Sequence, residues 1–317
     1  MKDAYGREID YLRLSVTERC NLRCRYCMPE EGICKKRHEE MLTQEEMVRA
    51  VEVAAALGIR KVRITGGEPL VKKNILSLCE NISRVEGIAE VCLTTNGTLL
   101  PRMAVPLREA GVQRINISLD TLDPQKYAAL TRRDGFAQAI QGIRAALDAG
   151  FARVKINTVL IGGFNDDEIA ALASLTLAYP VDVRFIELMP MVGGSAFGQA
   201  AMVSNQKVLD TLPQLEAAGE DGGVARLYRL PGGQGNIGLI SPVSHRFCAR
   251  CNRIRLTADG TLKACLHAGT EYNIKGLDDA GMLAQLRRAI AEKPACHNGL
   301  SAEHPSGAGR PMNTIGG

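Results

Sequence analysis

Two groups of three cysteines are the residues of this sequence best suited to do chemistry. The first group spans eight residues in a C-x3-C-x2-C spacing and comprises Cys20, Cys24 and Cys27. Three thiolates so close together suit an iron–sulfur cluster better than zinc, because a structural zinc ion takes four ligands. A four-iron cluster normally takes four cysteines, so three would leave one iron open to another ligand. The spacing therefore predicts a reaction centre.

The second group is a C-x2-C pair followed by a more distant cysteine, and comprises Cys248, Cys251 and Cys265. Its spacing alone suits an iron–sulfur cluster and a Cys3His zinc site, completed by His267 or His245, equally well. The segment 252–255 (Asn-Arg-Ile-Arg) places two guanidiniums on one face of a strand. Arginine forks hold phosphates, so we expect the second centre to face a ligand. At the first group, zinc would need a distant fourth ligand such as Cys34 or His38.

A Gly-Gly-Glu-Pro segment at 66–69 follows a predicted strand. Glycines at such a position let the backbone approach a ligand closely. Alone, the segment would be an ordinary strand-to-helix turn. Together with the C-x3-C-x2-C motif it becomes a specific signal.

Alternating strands and helices between Tyr11 and Pro190 position these motifs. The predicted strands are Tyr11–Thr17, Lys61–Thr65, Glu90–Asn96, Arg114–Asp120, Arg153–Ile161 and Asp182–Pro190. The predicted helices are Thr43–Gly58, Asn74–Val85, Leu100–Gly111, Ala137–Gly150 and Asp166–Tyr179. Such alternation predicts a parallel sheet with right-handed crossovers, either an open doubly wound sheet or an incomplete barrel.

The strand faces distinguish these two architectures. In the first strand Leu12 and Leu14 share one face while Arg13 and Ser15 share the other, and the strands starting at residues 61, 114 and 153 divide in the same way. Because unpaired charge is costly in a dry core, we interpret the polar faces as the wet interior of an incomplete barrel that binds a polyanion, rather than as solvated edges of an open sheet. Barrel enzymes use the C-terminal ends of their strands, which here include Thr65, Thr94, Ser118 and Met189.

Composition excludes several function classes. The chain has 317 residues and 39 basic against 35 acidic side chains, and a net charge of +4 is too weak to indicate a nucleic-acid or membrane surface by itself, so any basic function must be local. Seven Tyr, six Phe and no Trp argue against a stacking platform for single-stranded nucleic acid. No run approaches the roughly 18 apolar residues of a membrane span, and Met1–Asp10 carries no apolar leader. We therefore expect a cytoplasmic protein whose cysteines bind metal rather than form disulfides.

Beyond Pro190 the sequence becomes irregular and rich in glycine. The predicted elements there are a short helix from Ser204, strands around Ala225–Leu230 and Asn236–Ser241, a hairpin turning at 258–261 and a helix near Asp278–Glu292. We therefore predict two domains, residues 1–190 and residues 191–317. The tail from His297 is rich in Gly, Pro and Ser, a composition typical of disorder.

The motifs together resemble the radical S-adenosylmethionine superfamily and, more closely, its GTP 3′,8-cyclase family of molybdenum cofactor biosynthesis. The resemblance covers nearly the whole chain and rests on the segments Ile9–Thr17, Arg63–Leu70, Phe247–Thr257 and Ile315–Gly317. It implies an incomplete (βα)6 TIM-type barrel of parallel strands, followed by a smaller C-terminal α+β unit that carries a second cluster.

The resemblance also implies two 4Fe–4S clusters and S-adenosyl-L-methionine as cofactors, and GTP as the substrate. The first cysteine group would hold the cluster that binds S-adenosylmethionine, and the second would hold a cluster whose open iron takes the guanine base. Positions that match contacts to S-adenosylmethionine are Tyr26, Gly67, Ser118 and Met189. Positions that match GTP contacts are Arg13, Arg63, Thr94, Lys155, Arg253 and Arg255. The terminal Gly316 and Gly317 would reach the active site and be required for turnover.

The implied activity is that of a lyase. The ribose 3′ hydrogen of GTP is abstracted, the carbon radical attacks guanine C8, and reduction gives (8S)-3′,8-cyclo-7,8-dihydroguanosine 5′-triphosphate. An external electron donor and a downstream cyclic pyranopterin monophosphate synthase are implied as partners, with the chain a monomer or a homodimer. Two alternatives stay open: a radical enzyme of the same superfamily acting on a peptide or another nucleotide, and a zinc-stabilised nucleotide-binding protein. The cysteines outside both motifs are expected to be buried small apolar residues or bystanders, namely Cys34, Cys79, Cys92 and Cys296.

Overall fold

A repeating strand–helix pattern fills the first part of the chain in the computed structural model, which describes residues 1–33, 36–191, 197–222, 224–297, 299–301 and 303–316. The strands are β1 (Tyr11–Ser15), β2 (Lys61–Thr65), β3 (Glu90–Thr95), β4 (Arg114–Ser118), β5 (Arg153–Leu160) and β6 (Val181–Glu187). The helices are α1 (Gln44–Ala56), α2 (Ile75–Ser83), α3 (Leu100–Glu109), α4 (Pro124–Thr131), α5 (Phe136–Asp148) and α6 (Ile169–Ala178). Each strand begins within one residue of its predicted start.

In the described residues, the remaining elements are six strands, which extend this sheet at both ends, and three α-helices. They are α7 (Gln206–Thr211), β7 (Glu216–Asp221), β8 (Ala225–Arg229), β9 (Ile237–Ile240), β10 (Arg253–Leu256), β11 (Thr261–Lys263), β12 (Tyr272–Asn273), α8 (Asp279–Ala291) and α9 (Met312–Ile315). The strand order is β12-β11-β10-β1-β2-β3-β4-β5-β6-β9-β8-β7. Strand β10 pairs parallel with β1, and β9 pairs parallel with β6. Eight parallel strands therefore run from β10 to β9, with antiparallel pairs beyond each end.

The apolar face of each strand packs against the surrounding helices. Leu12, Leu14, Val62 and Ile64 are at most 1% exposed. Helix α1 begins at a capping box, in which the Thr43 hydroxyl accepts from the Glu46 N–H and the Glu46 carboxylate accepts from the Thr43 N–H. The prediction of an incomplete parallel barrel followed by a smaller C-terminal unit is confirmed.

Several features differ from the sequence-based expectation. Helix α4 was not predicted, although Asp123 caps it and Pro124 opens its first turn, which is a standard start signal. Strand β7 was not predicted either, because its Glu-Ala-Ala-Gly-Glu-Asp sequence has low strand propensity and its pairing with β8 is what orders it.

The expectation of a disordered tail is wrong for its described residues 299–301 and 303–316. Ala308 and Ile315 are 2% and 0% exposed and pack with Met191. Composition alone does not predict this order, because a few apolar residues that pack against an existing surface suffice to order a short tail. Among the described residues, no helix is both long enough and apolar enough to cross a membrane.

Candidate active site

The first cysteine group lies in the loop after β1, which is joined to the Gly-Gly-Glu-Pro segment by backbone hydrogen bonds. The N–H of Gly67 donates to the Thr17 carbonyl and the N–H of Glu68 to the Arg19 carbonyl, both at 2.8 Å. A Cβ at Gly66 would overlap the Thr17 oxygen, and one at Gly67 would overlap the Arg19 oxygen. The two glycines are therefore needed for the close approach of the two loops.

The three thiols of this loop are half-buried and lie close enough for their charges to interact. Burial raises the pKa of Cys20 to about 11 and that of Cys27 to about 12, and it holds the pKa of Cys24 well above its ordinary value. Backbone N–H groups of Leu22 and Asn313 donate to the sulfurs of Cys20 and Cys27. Three neighbouring thiols with N–H donors have the chemistry of a three-cysteine 4Fe–4S site, and binding of a cluster must release their protons.

The residues matched to S-adenosylmethionine contacts fall into two places. Tyr26 and Ser118 line a cavity of about 30 Å³ beside Cys24, together with Asn96 and Asp120. Gly67 lies in the loop bonded to the cysteine loop, as described above. Met189 does not line that cavity; it packs against the apolar cluster formed by Met191, Ala308 and Ile315. The structure thus places Met189 between β6 and the tail.

The second cysteine group surrounds the short turn that precedes β10. Burial raises the pKa of Cys248, although the His297 N–H donates to its sulfur. Burial acts in the same direction on Cys251, but Arg253 and Lys293 outweigh it and lower the pKa of Cys251 to about 6. Cys265 lies close enough to interact with the charge on Cys248. These thiols also fit a cluster held by three cysteines.

A row of arginines crosses the sheet between the two cysteine groups. Arg13 on β1 is the register partner of Arg63 on β2 and of Arg255 on β10. Arg63 donates to the Tyr11 hydroxyl and, at 3.4 Å, to the Thr94 hydroxyl. Burial, followed by repulsion between neighbouring cations, lowers the pKa of Arg13 to about 10 and that of Arg255 well below its ordinary value. A buried row of like charges is stabilised by a bound polyanion.

Two further residues matched to GTP contacts lie apart from this row. Arg253 donates its side-chain and backbone N–H groups to Cys251 and packs 5.2 Å from the centre of the Phe247 ring. Lys155 on β5 forms an ion pair with Asp221, and burial lowers its pKa to about 6. Arg253 therefore sits at the second cysteine group, and Lys155 on the far side of the barrel interior.

The tail brings Gly316 into the row of arginines. Its carbonyl accepts hydrogen bonds from Arg255 and, at 3.5 Å, from Arg13. Gly316 has φ +78°, and a Cβ there would overlap the Thr65 hydroxyl. Only glycine fits this position without strain. Gly317 and Cys34 lie outside the described residues.

Four charged residues of the site carry no role in the sequence-based assignment, although Glu68 belongs to the Gly-Gly-Glu-Pro segment. Glu68 is buried and accepts hydrogen bonds from Leu70, Thr95 and Asn96, and burial raises its pKa to about 7. Asp120 accepts from the Tyr26 hydroxyl at 2.8 Å, and burial raises its pKa to about 6. Both carboxylates hold elements around the cysteine loop in place.

The other two missed residues are Arg184 on β6 and its ion-pair partner Asp221. Alternation along β6, where Asp182 and Arg184 oppose Val183 and Phe185, is a signal that would have indicated Arg184. Asp221 had no such signal, because it reaches the barrel from a hairpin that sequence patterning did not reveal.

Comparisons with known proteins give a consistent assignment. The radical SAM superfamily profile matches residues 14–176, and the Molybdenum Cofactor Synthesis C profile matches residues 181–299. A GTP 3′,8-cyclase from Alkaliphilus oremlandii is 47% identical over 323 residues, covering all of both chains. A GTP 3′,8-cyclase from Moorella thermoacetica is 45% identical, also over all of both chains.

Solved structures support the fold alone, because the sequence identities are low. Streptococcus suis SuiB bound to S-adenosylmethionine superposes with a TM-score of 0.63 at 17% identity, covering 84% of this chain and 63% of that chain. Methylornithine synthase PylB gives a TM-score of 0.53 at 19% identity, covering 65% and 62% of the two chains. The full-length relatives and the superfamily profile show that the chain belongs to the GTP 3′,8-cyclase family of the radical S-adenosylmethionine superfamily.

Proposed function

We propose that this chain converts GTP to (8S)-3′,8-cyclo-7,8-dihydroguanosine 5′-triphosphate, the first step of molybdenum cofactor biosynthesis. The observation that carries the proposal is the row Arg63, Arg13 and Arg255 on neighbouring strands, in which Arg63 and Arg255 are buried, in a chain that also carries two groups of three thiols. Guanidiniums in such a row bind a polyphosphate, and the thiols hold the redox groups that the reaction requires.

The family uses two 4Fe–4S clusters and S-adenosyl-L-methionine. In this chain the first cluster is assigned to Cys20, Cys24 and Cys27, and the second to Cys248, Cys251 and Cys265. When bound, the first cluster supplies the electron that cleaves S-adenosylmethionine to a 5′-deoxyadenosyl radical. Tyr26 and Ser118, which lie beside Cys24, are assigned to contacts with S-adenosylmethionine.

The protein's own contribution is binding and orientation. Arg13, Arg63 and Arg255 supply positive charge inside the barrel, and the Thr94 hydroxyl lies beside Arg63. Lys155 adds an amino group beside Asp221. Arg253, held against Cys251, would bring a nucleotide close to the second cluster. Fixing the ribose within a few ångströms of the radical source replaces a random encounter by a positioned one.

Gly316 holds the tail against the row of arginines. Its carbonyl offers an acceptor to Arg13 and Arg255 without adding a charge. We assign Gly316 and Gly317 to placing the tail against the substrate, on which turnover depends.

Four finer assignments belong to the same proposal. An external electron donor supplies the first cluster, because cleavage of S-adenosylmethionine consumes an electron. A cyclic pyranopterin monophosphate synthase takes the product. The protein works in the cytoplasm, where reduced thiols persist. It acts there as a monomer or a homodimer. Residues 1–190 act on S-adenosylmethionine, and residues 191–317 supply the second cluster and the tail.

The test is anaerobic reconstitution with iron and sulfide, followed by incubation with a reductant, S-adenosylmethionine and either GTP or ATP. We expect about eight irons per chain, two cubes of four, and a product isobaric with GTP that forms only from GTP, measured by mass spectrometry. Formation of 5′-deoxyadenosine without conversion of GTP would overturn the substrate assignment and favour a peptide or another nucleotide. A chain that takes up no iron would overturn the whole proposal.

A further inference from the structure

Arg310 is the only charged residue in the segment 305–316. Its guanidinium donates to one oxygen of Asp259 at 2.7 Å and to both oxygens of Glu271, at 2.7 and 2.8 Å. It also donates to the Thr261 hydroxyl at 3.2 Å. All three partners belong to the β10–β11–β12 region, so one side chain ties the tail to that antiparallel unit.

This ion-pair cluster, Arg310 with Asp259 and Glu271, is partly shielded from water. The side chains of Arg310, Asp259 and Glu271 are 20%, 10% and 29% exposed. Shielded, forked ion pairs of this kind are stronger and more directional than exposed ones. Each carboxylate also has a lysine partner, Lys36 for Asp259 and Lys263 for Glu271. Removing Arg310 therefore leaves both carboxylates paired and releases the tail selectively.

The same strands hold the tail on both sides of Arg310. Lys263 on β11 donates to the Ala308 carbonyl at 3.3 Å, and its register partner Arg255 on β10 donates to the Gly316 carbonyl. The helical turn Met312–Ile315 spans the interval between Arg310 and Gly316 and fixes its length. The position of Arg310 thus sets the position of Gly316 relative to Arg255.

Gly316 leaves little room for error. A Cβ there would overlap the Thr65 hydroxyl and lie 3.1 Å from the Ser15 Cβ, so the tail end occupies a slot without free space. Asn313 binds the Glu18 carbonyl at 3.2 Å on the way to that slot. A shift of the tail by even one ångström would therefore break the contacts of Gly316 with Arg13 and Arg255.

We propose that Arg310, clamped by Asp259 and Glu271, is a positioning residue that sets the register of the tail and, through Gly316, orients Arg13 and Arg255 for the substrate. This inference rests on the proposed function for its catalytic consequence. Its structural consequence, a tail held by Arg310, does not depend on the substrate.

The test compares the cluster-loaded wild-type enzyme with Arg310→Ala, Arg310→Lys, Glu271→Gln and the double variant Arg310→Ala/Glu271→Gln. Arg288→Ala is the matched control, because Arg288 forms a comparable pair with Glu292 that is 62% and 45% exposed on α8. Iron content and thermal unfolding verify that each variant is folded and loaded.

The first readout is hydrogen–deuterium exchange of the backbone amides of 305–316 without GTP. We expect Arg310→Ala to speed exchange of these amides at least tenfold while β10 and β11 stay protected. The second readout is catalytic: a KM for GTP raised at least fivefold, and a tenfold higher ratio of 5′-deoxyadenosine to cyclised nucleotide. The exchange rate, the KM and the coupling ratio of Arg310→Lys should lie between those of the wild type and of Arg310→Ala, since an ammonium cannot span both carboxylates. The double variant should change neither readout more than Arg310→Ala alone does.

Unchanged tail exchange in Arg310→Ala would overturn the proposal, as would faster exchange with an unaltered KM and coupling ratio. If Arg310→Ala fails to load its clusters, Glu271→Gln and Arg310→Lys decide by the same two readouts. A wild-type enzyme that makes no cyclised nucleotide, but whose tail is loosened by Arg310→Ala, would contradict the proposed function and leave the clamp standing.

Discussion

The carbonyl of Gly316 accepts hydrogen bonds from both Arg255 and Arg13, so the tail contacts two of the proposed GTP-binding arginines. The tail is therefore part of the proposed site. Its contact uses a neutral acceptor, which orients the guanidiniums without neutralising them. Their positive charge is kept for the phosphates of the substrate.

We expect Gly316→Ala to reduce cyclisation at least tenfold while both clusters stay bound. The added Cβ would overlap the Thr65 hydroxyl, and φ +78° is unfavourable for alanine. The measurement is cyclised nucleotide formed per chain, with iron content determined in parallel. The double variant Gly316→Ala/Thr65→Ala removes the overlapping oxygen and should recover part of the activity.

Gly307→Ala is the matched control for this substitution. Gly307 lies in the same tail without a positive φ, and a Cβ there would meet the His267 carbonyl at an ordinary contact distance of 3.4 Å. It should behave as wild type. Equal activity of Gly316→Ala and Gly307→Ala would show that the tail end does not need glycine at 316.

Substitution of Arg253 separates the two sites. We expect Arg253→Ala to weaken GTP binding at least tenfold, because this guanidinium lies at the second cysteine group, while cleavage of S-adenosylmethionine stays measurable. Equilibrium binding of GTP and the yield of 5′-deoxyadenosine give the two readouts. Arg229→Ala, an exposed arginine on β8, controls for the loss of one positive charge. Wild-type affinity in Arg253→Ala would remove Arg253 from the binding site.

Substitution of Cys24 tests the first site. We expect Cys24→Ser to abolish formation of 5′-deoxyadenosine, since a cluster held by two thiolates is lost or inactive. Cys79→Ala is the control: Cys79 is buried in α2, outside both motifs, and its loss should leave the cleavage activity in place. Persistent 5′-deoxyadenosine from Cys24→Ser would refute the assignment of this loop.

The barrel could be predicted from the sequence because its signals are local. The alternation of Leu12 and Leu14 with Arg13 and Ser15 is set by strand geometry, and Thr43 with Glu46 marks the start of α1. The same alternation predicts that Arg13 and Arg63 face the inside of the barrel. Local patterns of this kind predict a strand or a helix start independently of residues far away in the sequence.

The features that could not be predicted depend on contacts between distant segments. The ordering of the tail depends on Arg310 meeting Asp259, 51 residues away, and on Gly316 meeting Arg13, 303 residues away. Likewise Asp221 meets Lys155 only because the β7–β8 hairpin folds back on the barrel. Composition and periodicity describe neighbours in sequence, so they are silent on such pairs.

Cys251 and Cys248 should differ in how their reactivity depends on pH. Although burial opposes ionisation, Arg253 and Lys293 lower the pKa of Cys251 to about 6, whereas burial raises the pKa of Cys248. In cluster-free protein at pH 7, Cys251 should therefore be mostly thiolate and should react with iodoacetamide ahead of Cys248, because the thiolate is the nucleophile. The rate should rise with pH, reach half its maximum near pH 6, and fall off as the thiol becomes protonated below that value. Peptide mapping by mass spectrometry measures each site.

Arg253→Ala supplies the matched test of the cause. Without this cation the pKa of Cys251 should rise toward the ordinary value, so the midpoint of its alkylation should move to higher pH while that of Cys248 stays where it was. The direction of this pKa shift also determines its effect on stability. Because the pKa of Cys251 in the folded state lies below its ordinary value, ionised Cys251 stabilises the fold at alkaline pH. This contribution is lost as the pH falls through about 6. A wild-type midpoint near pH 9, or one that Arg253→Ala leaves unmoved, would show that Cys251 is an ordinary thiol and that Arg253 does not face it.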